Sequence, residues 1–148
     1  MVVKALDASV MEPEQNMLIE EKLIKTIELK NSRTLELYDA SRKVASDRWL
    51  VQFVARIKIP IDASLFDKAD LSIIDMEDVR NAFGAEITFE KKRERNFIDQ
   101  KKKREVLEDL MNSFINTSIA YLSNNKFPGN FILNEYKKYK EKRSWYNP

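Results

Sequence analysis

The chain has 148 residues, 43% hydrophobic and 34% charged, with a formal net charge of +2. That is enough length for one domain with a real core, and the charge is too balanced for a global polyelectrolyte. There is no histidine, no cysteine and only two glycines, Gly84 and Gly129. Ser-His-Asp and Cys-His catalysis, zinc ribbons or fingers, disulfide frameworks and glycine-rich phosphate loops are thereby excluded.

In chain order, residues 1–17 mix small, acidic and apolar types around Pro13 and read as a loosely ordered arm. A single domain is expected over 18–143, with 144–148 as a tail. Leu23, Lys25, Ile27 and Leu29 alternate with Ile24, Thr26, Glu28 and Lys30. That segment carries good helix formers, but Asn31-Ser32 and the strand signal behind it favour a strand. Residues 34–41 place Leu35 and Leu37 on one side, and 42–47 read as a polar connection.

The clearest element follows. Trp49, Val51, Phe53, Ala55, Ile57 and Ile59 alternate with Leu50, Gln52, Val54, Arg56 and Lys58. The first set predicts the buried face of a long strand, and the second turns basic where the strand leaves cover. Pro60 stops its ladder.

Residues 61–75 form an aspartate-rich connection. Asp75 is placed to cap a short helix over 76–83, with Gly84 at its exit. A strand is predicted over 85–92, with Ala85, Ile87 and Phe89 inward. Asn96, with Asp99 three residues on, predicts the cap of a long helix. Its stripe runs through Val106, Leu107, Leu110, Met111, Phe114, Ile115, Ser118, Tyr121 and Leu122. Pro128 and Gly129 mark a break. A last helix puts Ile132, Leu133, Tyr136 and Tyr139 on one face, and Trp145 and Tyr146 fall beyond it. The expected fold class is α+β: an antiparallel meander of three to four strands, with a long helix and one or two shorter helices on one face.

Three constellations carry chemistry. Lys91, Lys92, Arg93, Arg95, Lys101, Lys102, Lys103 and Arg104 face only Glu94 and Asp99 within fourteen residues. Lys101 to Arg104 crowd the positive end of the predicted helix, a local rule broken that an anion would relieve. The plain reading is a solvated face, with Lys101–Glu105 and Arg104–Glu108 pairs at i,i+4. Asp62, Asp67, Asp70, Asp75, Glu77 and Asp78 form an acidic connection whose spacing fits no EF-hand. Helix capping explains it better than a metal. The C-terminal Tyr136 to Tyr146 run interleaves rings with cations, a mixture that single-stranded nucleic acid uses. At helical spacing its tyrosines also join the core stripe.

Asp39, Arg42, Arg48 and Trp49 flank the polar connection. They read either as turn hydrogen bonds with neutralising arginines or as a partner site anchored by Trp49. Asp39-x-Ser41 resembles part of the Asp-x-Ser-x-x-Gly motif of PilZ domains, which bind cyclic dinucleotides. Val44 stands at the glycine position and residues 1–32 contain no arginine, so no function is carried over from those three residues.

The functional expectation is a non-enzymatic interaction domain, without cofactor or metal. It would bind a protein partner, or itself, through the acidic and basic patches. The alternative is RNA or single-strand binding through 91–104 and the Tyr/Lys-rich C-terminus. No segment approaches a membrane span and none reads as a secretory signal, which makes a cytoplasmic location the expectation.

Overall fold

The computed structural model describes residues 20–146, and the predicted arm over 1–17 lies outside them. Five strands form one antiparallel sheet: β1 (Lys22–Glu28), β2 (Thr34–Asp39), β3 (Arg42–Ala45), β4 (Arg48–Pro60) and β5 (Glu86–Asp99). Four α-helices accompany it: α1 (Lys68–Leu71), α2 (Met76–Phe83), α3 (Lys103–Leu122) and α4 (Phe127–Tyr146). β4 is central. β5 lies along one edge, from Arg48 opposite Asp99 to Pro60 opposite Glu86. β2 and β3 share the other edge, and β1 pairs outside β2. The expected α+β fold, an antiparallel sheet with the long helices packed on it, is the observed architecture, with five strands among the described residues where three to four were expected.

The inward positions of β4 explain the packing. Val51, Phe53, Ala55, Ile57 and Ile59 are fully buried. They join Leu107, Leu110, Phe114 and Leu122 of α3, and Phe127, Ile132 and Tyr136 of α4, in one core. Each side chain of this size removed from water contributes about 1.5–3 kcal/mol. The Phe53 and Phe114 rings meet edge-on at 5.4 Å. On the reverse face, Arg56 ties the sheet together. It donates to both Glu21 oxygens at 2.6 and 2.7 Å and to Glu90 at 2.7 Å, and it lies over the Tyr38 ring. The hydrogen bonds to Glu21 and the ion pairs raise its pKa further still.

Four sequence expectations need correction. Residues 42–45 are a strand, closed by a two-residue turn at Ser46-Asp47. All four residues of that strand are exposed, so no apolar alternation marked it. β5 continues through the basic run to Asp99, because β4 offers it backbone partners the whole way. Asn96 therefore caps no helix. It sits in a bulge where its Oδ1 accepts from the Phe97 N–H at 2.8 Å, and α3 begins only at Lys103. Third, α4 begins at Phe127, with Pro128 and Gly129 in its first turn rather than in a break. Proline is tolerated there because the first N–H groups have no intrahelical partner. Gly129 is required by packing: a Cβ on it would collide with the Leu65 carbonyl oxygen. Finally, α4 runs on to Tyr146, so Trp145 is helical and 71% exposed.

Other expectations hold. Asp75 accepts from the N–H groups of Glu77 and Asp78, and Gly84 leaves α2 at φ +81°. Asn31, in the β1–β2 turn, donates to the carbonyls of Leu122 and Asn124 at 2.8 and 2.9 Å. That amide clamps the first hairpin to the α3–α4 connection and satisfies helix-end carbonyls. Among the described residues no helix is long and apolar enough to cross a membrane.

Candidate anion-binding surface

Strand alternation divides the basic band. Lys91, Arg93 and Arg95 pair opposite Ala55, Phe53 and Val51, and so project to the helix side of the sheet. Lys92 pairs opposite Val54 on the reverse side and lies 3.9 Å from Glu90. Lys101 and Lys102 occupy a 3-10 turn (Gln100–Lys102), held by Asp99, whose side chain accepts the Lys101 N–H at 2.9 Å. That hydrogen bond, then the charge of Arg48, holds the Asp99 carboxyl below its ordinary range.

Lys103 and Arg104 open α3, which has no side-chain cap. Cations thus stand at the positive end of the helix, as the sequence implied. The pairing is only partly as expected: Arg104 meets Glu108 at 3.5 Å, but it is Lys102, not Lys101, that reaches Glu105, at 4.0 Å. Lys103 places its ammonium 3.5 Å from the centroid of the Trp49 ring.

The hairpin residues do not form one cluster. Asp39 lies in the sheet interior opposite Phe53 and accepts from the Ser41 N–H at 2.9 Å. With Ser41 Oγ accepting from Gln52 N–H at 3.0 Å, it shapes the break between β2 and β3. Arg48 lies 3.3 Å from both Asp47 and Asp99. Arg42 pairs opposite Leu50 on the reverse face, while Lys43 pairs opposite Trp49 on the helix side. Trp49 is half-buried under Lys103, and its indole N–H is buried with no acceptor among the described residues.

The exposed aromatic at this end is Phe97, which sequence reasoning missed. It sits at φ +59° in the β5 bulge, is 64% exposed, and carries the Arg48 guanidinium 5.6 Å from its centroid. A non-glycine residue at positive φ is strained, and bulges re-aim side chains. The available signal was an aromatic directly after asparagine inside a charged run.

A cleft of about 620 Å³ opens between β5 and α3. Arg93 and Arg95 form one wall, with Ile98 at its end; Val106, Asp109, Leu110, Ser113, Phe114 and Thr117 form the other. Among the described residues neither arginine has a carboxylate within salt-bridge distance. Each donates to a neighbouring carbonyl, that of Lys92 at 3.4 Å or Glu94 at 3.3 Å.

The acidic connection and the C-terminal run have structural roles. Asp62 caps a 3-10 turn (Ala63–Leu65), and Asp67 and Asp70 make a capping box on α1. Asp78 accepts from Tyr136 at 2.6 Å and from both terminal nitrogens of Arg143 at 3.1 Å. Those bonds, Arg143's first, hold Asp78 below the usual carboxyl range. Burial, then the bond to Asp78, pushes the Tyr136 phenol up to about 12. Tyr139 packs edge-on against Phe83. Tyr136, Tyr139 and Arg143 of the second basic run are therefore docked on α2, while Lys137, Lys138, Lys140 and Lys142 stay exposed. Among the described residues no three carboxylates gather into a metal-holding group. No family model, curated protein or solved structure matches the chain.

Proposed function

We propose that this chain is a non-enzymatic interaction domain that holds an acidic protein partner against the helix-side cationic surface of β5. One observation carries the reading. Lys43, Lys91, Arg93, Arg95 and Lys101 have no acidic partner within salt-bridge distance among the described residues, whereas most carboxylates of the acidic connection are engaged in caps or by Arg143. A surface with unpaired charge of one sign steers and orients a partner of the other. Self-association through the two patches has less support, because the acidic half is occupied within its own chain.

Binding of a fluorescent glutamate-rich peptide, followed by anisotropy at about 50 mM and about 200 mM salt, tests this. The Lys43→Gln/Lys91→Gln/Lys101→Gln variant is expected to weaken binding roughly fivefold or more. Absence of binding at low salt overturns the reading. Nucleic acid is the second reading, favoured by exposed Phe97 among the cations. An oligothymidylate that binds more tightly than the peptide, with affinity falling steeply as salt rises, would put it first.

A further inference from the structure

We propose that the cleft between β5 and α3 is a binding site for a small molecule carrying one anionic group on an apolar body, of the class of aromatic sulfonates and medium-chain carboxylates. The proposal goes beyond the partner reading: the cleft shares Arg93 and Arg95 with that surface, but Lys43, Lys91 and Lys101 do not line it, so the two readings fail separately.

Two inward positions of β5, beside the buried Phe114, carry Arg93 and Arg95. Arg93 lies with its guanidinium 5.8 Å from the centroid of the Phe114 ring. A guanidinium has five N–H donors in a planar fork that matches carboxylate, phosphate or sulfonate oxygens. Each of these makes one hydrogen bond, so most of its donors remain open. Among the described residues Asp109 is the only acid in the lining, which leaves the cleft net cationic.

The opposite wall asks for more than an ion. Val106, Leu110 and Phe114 follow one stripe of α3; Leu110 and Phe114 are 8% and 3% exposed, so half-buried Val106 and Ile98 supply most of the apolar surface beside the arginines. Thr117 donates its hydroxyl to the Ser113 carbonyl at 2.9 Å, while the Ser113 hydroxyl has no partner among the described residues. About 620 Å³ lies within the range of small-molecule sites, about 300–1,000 Å³, and far exceeds one inorganic anion. Charge at one wall and apolar surface at the other select a ligand with both.

The test is a fluorescence titration of the full chain with 8-anilinonaphthalene-1-sulfonate. One saturable equivalent is expected, displaced by octanoate but not by acetate or octanol. Arg93→Gln/Arg95→Gln should weaken it about tenfold or more, while Lys43→Gln/Lys91→Gln/Lys101→Gln should leave it within about twofold. Ser113→Phe fills the cleft from the helix side with both arginines intact and should also abolish binding. Circular dichroism shows whether each variant is folded, and the Ser113 variant decides if the arginine variant is not. Undiminished binding by a folded cleft variant overturns the proposal. So does equal weakening by the lysine variant, or displacement by octanol as effective as by octanoate.

Discussion

The two halves of β5 face the same helical layer and pack in opposite ways. In the first half, Phe89 meets Phe127 at 5.4 Å and Phe131 at 5.6 Å, both edge-on, and the sheet closes against α4. In the second half, Lys91, Arg93 and Arg95 occupy the equivalent alternate positions, and the layer opens into the cleft. Backbone pairing to β4 continues through both. Closure is thus decided by side-chain chemistry at every second residue, while strand length is decided by the partner strand.

The largest expected effect strikes the closed half. Phe127→Ala removes a ring that contacts Phe89, Phe131 and Tyr121, and should cost about 3–5 kcal/mol in urea unfolding. A loss below about 1 kcal/mol would mean that this half is not closed as described. Gly129→Ala comes next: its methyl would drive α4 away from the Leu65 carbonyl, costing about 1–3 kcal/mol. In the open half the sign reverses. Arg93→Leu/Arg95→Leu should let α3 settle onto β5 and raise stability by about 1 kcal/mol, read as a higher thermal midpoint.

The smallest effects are pH-dependent and lie outside β5. Asp78 has a folded pKa below its ordinary value of 3.8, so its stabilisation is full above that value and fades as pH falls through the folded one. Tyr136 has a folded pKa of about 12 against an ordinary 10.0. Its contribution is therefore present below pH 10 and fades as pH rises toward 12. Asp78→Asn should flatten the acid limb of a stability–pH curve. Tyr136→Phe should flatten the alkaline limb.

The same contrast explains what the sequence could convey. β4 was legible because each inward residue from Trp49 to Ile59 is apolar. The second half of β5 was not, because Lys91 to Asn96 has no apolar alternation and is held as strand by its neighbour. Asn96 has the capping chemistry read from it, a side-chain oxygen accepting a backbone N–H, but uses it in a bulge. The basic band was visible as composition. Its division between two faces depended on register, and the cleft depended on where α3 starts. Phe97 gained its exposure from a positive φ that no propensity announces.

The apolar face of β4 is complete in sequence by Ile59, yet the α3 and α4 residues that cover it begin at Leu107. A ribosome-bound chain that stops short of Leu107 has Val51, Phe53, Ala55, Ile57 and Ile59 but none of those covering residues. The core finishes only when Ile132 and Tyr136 of the last helix emerge. Until those residues leave the ribosome, the inward face of β4 is an apolar strand without its α3 and α4 cover, the kind of surface that makes a nascent chain prone to aggregate.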